Sequence, residues 1–310
     1  MLKKENLWNI ILRQRNTIQM RGGSILLQSK TKYTVYMFLV TLFWGLTYGL
    51  TKVCLEYSSE LHIISFRFFL SFITSFFVLR KKILPIQAKD LRYSFILSIL
   101  LFFVFLTMTV GLKHTTASNA GFLVSLSVIF IPFFSWIING EKPKKKIYFV
   151  LFFSFIGIAL LTLDTDLQVH RGDILCLFCS ILFALHVIFV GNFVRKVNPV
   201  SLGVFQFAYL ALFSFVIQYP IEGLYFPKHF SFWISLCLLS VFCTSFGYIL
   251  QGIAQQNISA TTAGFILSLE PVISCIFGYF ILKEYYTVQQ CLGGIILLLS
   301  VFYISKGKEQ

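Results

Sequence analysis

Six polar side chains stand where the surrounding sequence is too apolar to want them: Lys52, Arg67, His186, Gln206, Gln251 and Glu270. Glu270 lies about nine residues into an apolar run and is followed by Pro271. A carboxylate at that depth needs a cavity, a partner or a proton, so it could bind a cation or carry a coupling proton. Pro271 cannot donate to the carbonyl of Leu267, which loosens the backbone beside the acid. Arg67 and Lys52 could each hold an anionic group such as a carboxylate. Lys52 could equally snorkel to an interface. His186 brings an imidazole that titrates in the physiological range and suits a pH-sensitive gate; a hydrogen-bonded packing role is its alternative. Gln206, at a spacing of 139 from Arg67, and Gln251 offer neutral amides. Trp44, Tyr48 and Tyr248 could wall a cavity. Glu270, Arg67, Lys52, His186, Gln206, Gln251, Trp44, Tyr48 and Tyr248 are therefore the expected substrate or ion pathway.

The elements that must position these groups are membrane helices. Hydrophobic residues make up 57% of the 310 positions, Phe alone supplies 37, and the mean hydropathy is +0.81. Apolar runs of about 20 residues, each long enough to cross the hydrocarbon core, recur from position 33 onward. Helices are required because lipid satisfies no backbone hydrogen bond, and the short alternating strands of a β-barrel are absent. The sequence predicts ten spans, near 33–53, 61–79, 91–111, 116–138, 146–164, 172–193, 201–219, 232–251, 261–282 and 288–305. The fold class is thus an all-α polytopic membrane protein.

The formal charge of +14 does not point to nucleic acid, because the basic residues follow topology. With the N-terminus inside, cytoplasmic segments hold a basic tail (1–32), Arg80, Lys81, Lys82, Lys89 and Arg92. They also hold Lys142, Lys144, Lys145 and Lys146, Arg195 and Lys196, and a short tail (306–310) with Lys306 and Lys308. The other loops hold only Lys113, Arg171, Lys228 and Lys283, with acids at Glu60, Asp164, Asp166, Asp173 and Glu222. The positive-inside rule places both termini in the cytoplasm and the chain in the cell membrane. The tail lacks a signal-peptide core; it reads as a disordered extension, or as a surface helix using Leu7, Trp8, Ile11 and Leu12.

Residues 117–141 and 260–284 align without gaps at a spacing of 143, sharing Ala117/Ala260, Ala120/Ala263, Gly121/Gly264, Phe122/Phe265, Ser125/Ser268, Leu126/Leu269 and Glu141/Glu284. A five-span unit therefore occurs twice, at 33–164 and 172–305. An odd unit reverses direction on repetition, which gives the inverted repeat common among secondary transporters.

These segments resemble a known family. Trp44-Gly45 followed by Lys52, Arg67-Phe68, Gly172-Asp173, the Ala-x-x-Ala-Gly-Phe starts at 117 and 260, Leu-Glu-Pro at 269–271 and Lys-Glu at 283–284 are similar to hallmarks of the drug/metabolite transporter superfamily, EamA-type. The resemblance covers residues 33–305. Of two glycines that the family places after the repeated Glu, the halves keep Gly157 and Gly293. The resemblance implies gradient-driven movement of a small metabolite, amino acid or drug, with export expected. It also implies a small-molecule substrate and coupling to a proton or another ion, and it allows a homodimer.

An enzyme is not expected, although a membrane-embedded enzyme or lipid scramblase is the alternative. No HExxH, GxSxG or GxxxxGK[ST] occurs, and these carry zinc, acyl and nucleotide chemistry. Cys176-x-x-Cys179 lacks the second ligand pair of a zinc site. No cofactor and no metal are expected. Gly45 and Gly49, Ala117 and Gly121, and Ala260 and Gly264 have small-xxx-small spacing for close helix packing or a pivot, with Pro132 and Pro271 as further pivot candidates. Glu141 and Glu284 are assigned to architecture, with Pro143 in the first turn of the next helix and Thr287-x-x-Gln290 as a capping box.

Overall fold

The computed structural model describes residues 31–115, 117–140, 142–162, 171–277 and 287–306. Most of the basic tail, Glu141, Lys283, Glu284, Asp164 and Asp166 lie outside them, as do the side chains of Ala117 and Lys306. Among the described residues the chain is helical and has no strand.

In chain order the helices are α1 (31–44), α2 (Thr47–Leu55), α3 (Glu60–Ile83), α4 (Ala88–Lys113), α5 (Ala117–Ser125), α6 (Ser127–Asn139), α7 (Lys145–Thr162), α8 (Arg171–Phe193), α9 (Pro199–Glu222) and α10 (Phe230–Leu238). A π-helical segment, Leu239–Phe246, joins α10 to α11 (Gly247–Gln255); α12 (Ala260–Leu267), α13 (Glu270–Phe277) and α14 (Val288–Lys306) follow. Seven helical stretches among the described residues are long and apolar enough to span a membrane: Thr31–Leu55, Glu60–Ile83, Ala88–Lys113, Ala120–Asn139, Arg171–Phe193, Pro199–Glu222 and Phe230–Gln255. The apolar helices α7, α12–α13 and α14 occupy the remaining expected positions.

The caps follow local chemistry. Asn198 accepts from the amides of Val200 and Ser201 ahead of Pro199, which supplies donors freed at a helix start. The amide of Thr287 donates to Gln290 Oε1 at 2.8 Å and that of Gln290 to Thr287 Oγ1 at 3.3 Å, the reciprocal pair that their spacing predicts. Pro143 is a correction: α7 starts at Lys145, and Ile147 N donates to Lys144 O at 2.8 Å. Pro143 therefore precedes the helix instead of joining its first turn.

Helix packing explains several small residues. α7 lies along α14, and a Cβ on Gly157 would come within 2.9 Å of both Gly293 O and Leu297 N. Both retained glycines thus sit where two backbones touch. Gly172 packs on the backbone of Gly111 and His114, and the Thr115 hydroxyl donates to Asp173 at 2.5 Å. A Cβ on Gly45 would lie 2.8 Å from Ile273 and 3.1 Å from Ser274 N, whereas one on Gly49 would meet nothing within 4 Å. Gly264 approaches Ile131 across the α12–α6 contact, and Gly121 faces Tyr48 at 3.9 Å.

Three stretches are interrupted: at Gly45–Leu46, at Leu126, and at Ser268–Leu269. Leu126 and Leu269 are equivalent at the 143 spacing. Pro271 accounts for the last break by removing one backbone donor, and it sits in the first turn of α13. Pro132 lies inside α6, six residues beyond the break at Leu126.

Candidate functional site

The breaks converge on a buried cavity of about 40 Å³. Trp44 enters it from the end of α1, Thr47 and Tyr48 from α2, and Arg67 from α3. Val104, Phe105 and Met108 come from α4, Val124 from α5, Cys179 and Phe183 from α8, Tyr248 from α11 and Glu270 from α13. Five residues expected to form a pathway, Trp44, Tyr48, Arg67, Tyr248 and Glu270, thus meet in one place although 226 positions separate the first from the last.

Arg67 is 2% exposed. Its Nε donates to Thr244 Oγ1 at 2.7 Å, and its guanidinium sits 4.6 Å from the Phe105 ring centre, a cation–π contact. Its terminal nitrogens make no hydrogen bond to a described residue, and the guanidinium forms no ion pair with Glu270. The fork best suited to gripping a carboxylate is therefore uncommitted. Glu270 is 8% exposed and is the first residue of α13, where free amides and the helix dipole favour negative charge. Tyr48 lines the cavity beside it. A guanidinium and a carboxyl thus share one aromatic-walled cavity without forming an ion pair.

The π-helical segment holds the Arg67 side. Its i→i+5 pattern inserts one residue and frees backbone groups. Thr244 donates to Leu239 O at 2.8 Å, which leaves its oxygen to accept from Arg67. Trp44 Nε1 donates to Cys243 O at 2.7 Å, Ser71 to Ser240 O at 2.9 Å, and Ser245 to Ser71 O at 2.9 Å. The indole of Trp44 also lies 4.8 Å from the Tyr248 ring. The π-helical segment is thereby stitched to α1 and α3 beside the guanidinium.

The other expected residues lie elsewhere. Lys52 is exposed and outside the lining; its ammonium donates to the carbonyls of Leu112 and Thr115 at 3.2 and 3.0 Å, which cover the end of α4. His186 is fully buried behind the lining, 5.7 Å from the Tyr248 ring and 3.5 Å from Gln206 Oε1. Gln251 is buried one turn beyond Tyr248. Reading the sequence missed Phe105, Phe183, Met108 and Thr244. The Ser, Cys and Thr at 240 and 243–245 were the only signal for Thr244.

At the end of the bundle where α3 begins, the segment 223–229 lies across its first turn. Ser59 donates to Glu222 at 2.5 Å, Ser58 bonds Tyr225 at 2.8 Å, and His62 stacks on Tyr225 at 4.1 Å.

Comparison with known proteins finds a match to the model of the EamA-like transporter family over residues 31–163 and 170–306. An uncharacterized transporter of Archaeoglobus fulgidus is 30% identical over 271 residues, covering 86% of this chain and 83% of the relative. The uncharacterized transporter YyaM of Bacillus subtilis is 24% identical over 287 residues, covering 87% and 93%. A solved crystal structure superposes with a TM-score of 0.75 over 87% of this chain and 96% of the other, at 14% identity, a likeness of fold.

Proposed function

We propose, from the premise that this chain belongs to the EamA-like transporter family, that it carries a small zwitterionic metabolite through the Arg67–Glu270 cavity. One observation carries the reading: a guanidinium bonded through Nε alone and a carboxyl not ion-paired to it face the same buried, aromatic-walled space. Arg67 would take the carboxylate of an amino-acid-like solute and Glu270 its ammonium. Trp44, Phe105, Phe183 and Tyr248 would take a flat or apolar side chain.

A cavity of about 40 Å³ has room for a few waters, each needing about 10–15 Å³ of such space, and is too small for an amino-acid-sized solute. Loading therefore requires expansion, and the helix breaks at Gly45–Leu46, Leu126 and Ser268–Leu269 are the sites where it would occur. We read the chain as ten spans in two inverted halves, both termini cytoplasmic, in the cell membrane. Alternating access around this midplane site would be driven by an ion gradient, with Glu270 as the coupling group and export as the direction.

Counterflow in proteoliposomes tests the charge logic. Phenylalanine, its deaminated acid 3-phenylpropionate and its decarboxylated amine phenethylamine share one ring and differ in charge. Exchange of phenylalanine well above both analogues is expected. Equal exchange of all three would reject recognition by two opposite charges.

A further inference from the structure

Tyr248 lies in the cavity wall, and the helix that carries it continues past the cavity with two glutamines on the same face. Gln251 is three residues beyond Tyr248 and Gln255 four beyond that, so the three form one stripe along α11. Two contacts fix its direction toward α8. Gln255 Nε2 donates to Val187 O at 2.9 Å, and the His186 ring lies edge-on to Tyr248 at 5.7 Å. Gln251, Gln255 and His186 are all fully buried.

Their polar atoms are poorly matched to the protein around them. Gln251 Nε2, Gln251 Oε1, Gln255 Oε1 and His186 Nδ1 find no hydrogen-bond partner among the described residues. Buried polar atoms in native folds are almost always paired with protein or with a bound molecule. Four unpaired atoms on one α8–α11 seam, next to the cavity, do not look like packing. An apolar side chain of the same size would pack there without the loss.

We infer that the Tyr248–Gln251–Gln255 stripe, with His186 opposite, is a second ligand station on the transport path, built for a neutral molecule that both donates and accepts hydrogen bonds. The reading deepens the transport function proposed above. Gln251 supplies donor and acceptor together. Gln255 Oε1 is an acceptor; His186 Nδ1 accepts when the proton is on Nε2, the nitrogen facing Gln206. The stripe carries no formal charge, which selects against a bare ion. It leads from Tyr248 toward the end of the bundle that holds Arg195 and Lys196, read above as cytoplasmic. Water and the uncharged polar portion of the solute share the required chemistry.

The experiment uses the full chain, wild type against Gln251→Met, which keeps the side chain's length and removes its hydrogen bonding. X-ray radiolytic labelling in detergent, with no solute added, reads bound water through oxidation of His186 and Tyr248. Phenylalanine counterflow reads the solute. Labelling that drops several-fold in the variant assigns the station to water. Unchanged labelling with a KM raised about tenfold, the equivalent of roughly 1.4 kcal/mol, assigns it to the solute. Labelling and KM both unchanged overturn the station, and a higher Tm alongside would mark Gln251 as a packing defect. If the wild type does not exchange phenylalanine, the substrate reading fails and labelling alone decides the station. If Gln251→Met does not fold, Gln251→Asn shortens the amide and is read in the same way.

Discussion

Replacing Arg67 by Met separates fold from function, because the two effects differ greatly in size. In the protein the guanidinium has one charge-assisted bond, to Thr244, and one ring contact, to Phe105. The bond contributes about 1.5–3 kcal/mol and a desolvated cation–π contact about 2 kcal/mol. Against them stands the burial of a charge at 2% exposure, an effective penalty of several kcal/mol per ion after relaxation. The terms nearly cancel, so the Met variant should unfold within a few degrees of wild type. Transport should respond very differently. Losing a desolvated charge partner for a bound carboxylate costs about 2–5 kcal/mol, which corresponds to a loss of roughly 30- to 4,000-fold in affinity. The assay pairs thermal unfolding in detergent with phenylalanine counterflow in proteoliposomes, the amine phenethylamine serving as a control that has no carboxylate to lose. A Met variant that unfolds more than 15 °C early would refute the near-cancellation and make Arg67 a structural post. A stable variant with unaltered phenylalanine affinity would refute its place in recognition.

Glu270→Gln should abolish pH-gradient-driven flux while leaving the fold intact; gradient dependence equal to wild type would remove the carboxyl from coupling. Gly157→Ala should lower Tm by the equivalent of about 1–3 kcal/mol, because its Cβ meets the backbone of α14 at 2.9 Å. Gly49→Ala meets nothing within 4 Å and should be neutral or stabilising, so equal losses in the two variants would contradict the packing. Trp44→Phe should cost about 1–3 kcal/mol through the carbonyl of Cys243 left without its indole donor, read as an earlier unfolding midpoint. Lys52→Met should leave phenylalanine transport near wild type, since its ammonium bonds the end of α4 outside the cavity; loss of transport would restore it to the pathway.

The cavity was legible in the sequence to the extent that a membrane makes polar groups expensive. Arg67 and Glu270 stood out because hydrocarbon tolerates them only with a reason, and both line the cavity. Trp44, Tyr48 and Tyr248 were legible through their neighbours more than their type, since aromatics make up 18% of the chain. Lys52 was ambiguous for a geometric reason. A lysine stem reaches several places, and the choice of the Leu112 and Thr115 carbonyls depends on where α4 ends relative to α2. Phe105 could not be singled out among 37 phenylalanines; only the register of α4 against α3 puts it under the guanidinium. Gly45 and Gly49 have the same local signature, yet only Gly45 has a neighbour, because α13 crosses at that turn. The break at Ser268–Leu269 was announced by Pro271. The one at Leu126 has no proline next to it, and only the repeat marks it.

The π-helical segment also has a meaning in terms of chain length. A π turn is an α-helix carrying one residue more than its ladder needs. Removing a residue between Leu239 and Phe246 would let α10 and α11 close into one continuous α-helix, still long enough to cross the bilayer. Everything beyond that deletion would keep its angle, with Tyr248 in the cavity wall and Gln251 and Gln255 on the α8 face, whereas a residue removed from the regular turns of α10 would rotate all three by about 100°. The contents of the cavity therefore depend on a reading register as well as on residue identity. A homologue one residue shorter in the regular helix of α10 would present a different side chain in place of Tyr248, whereas one that lacks only the extra residue of the π turn would keep it.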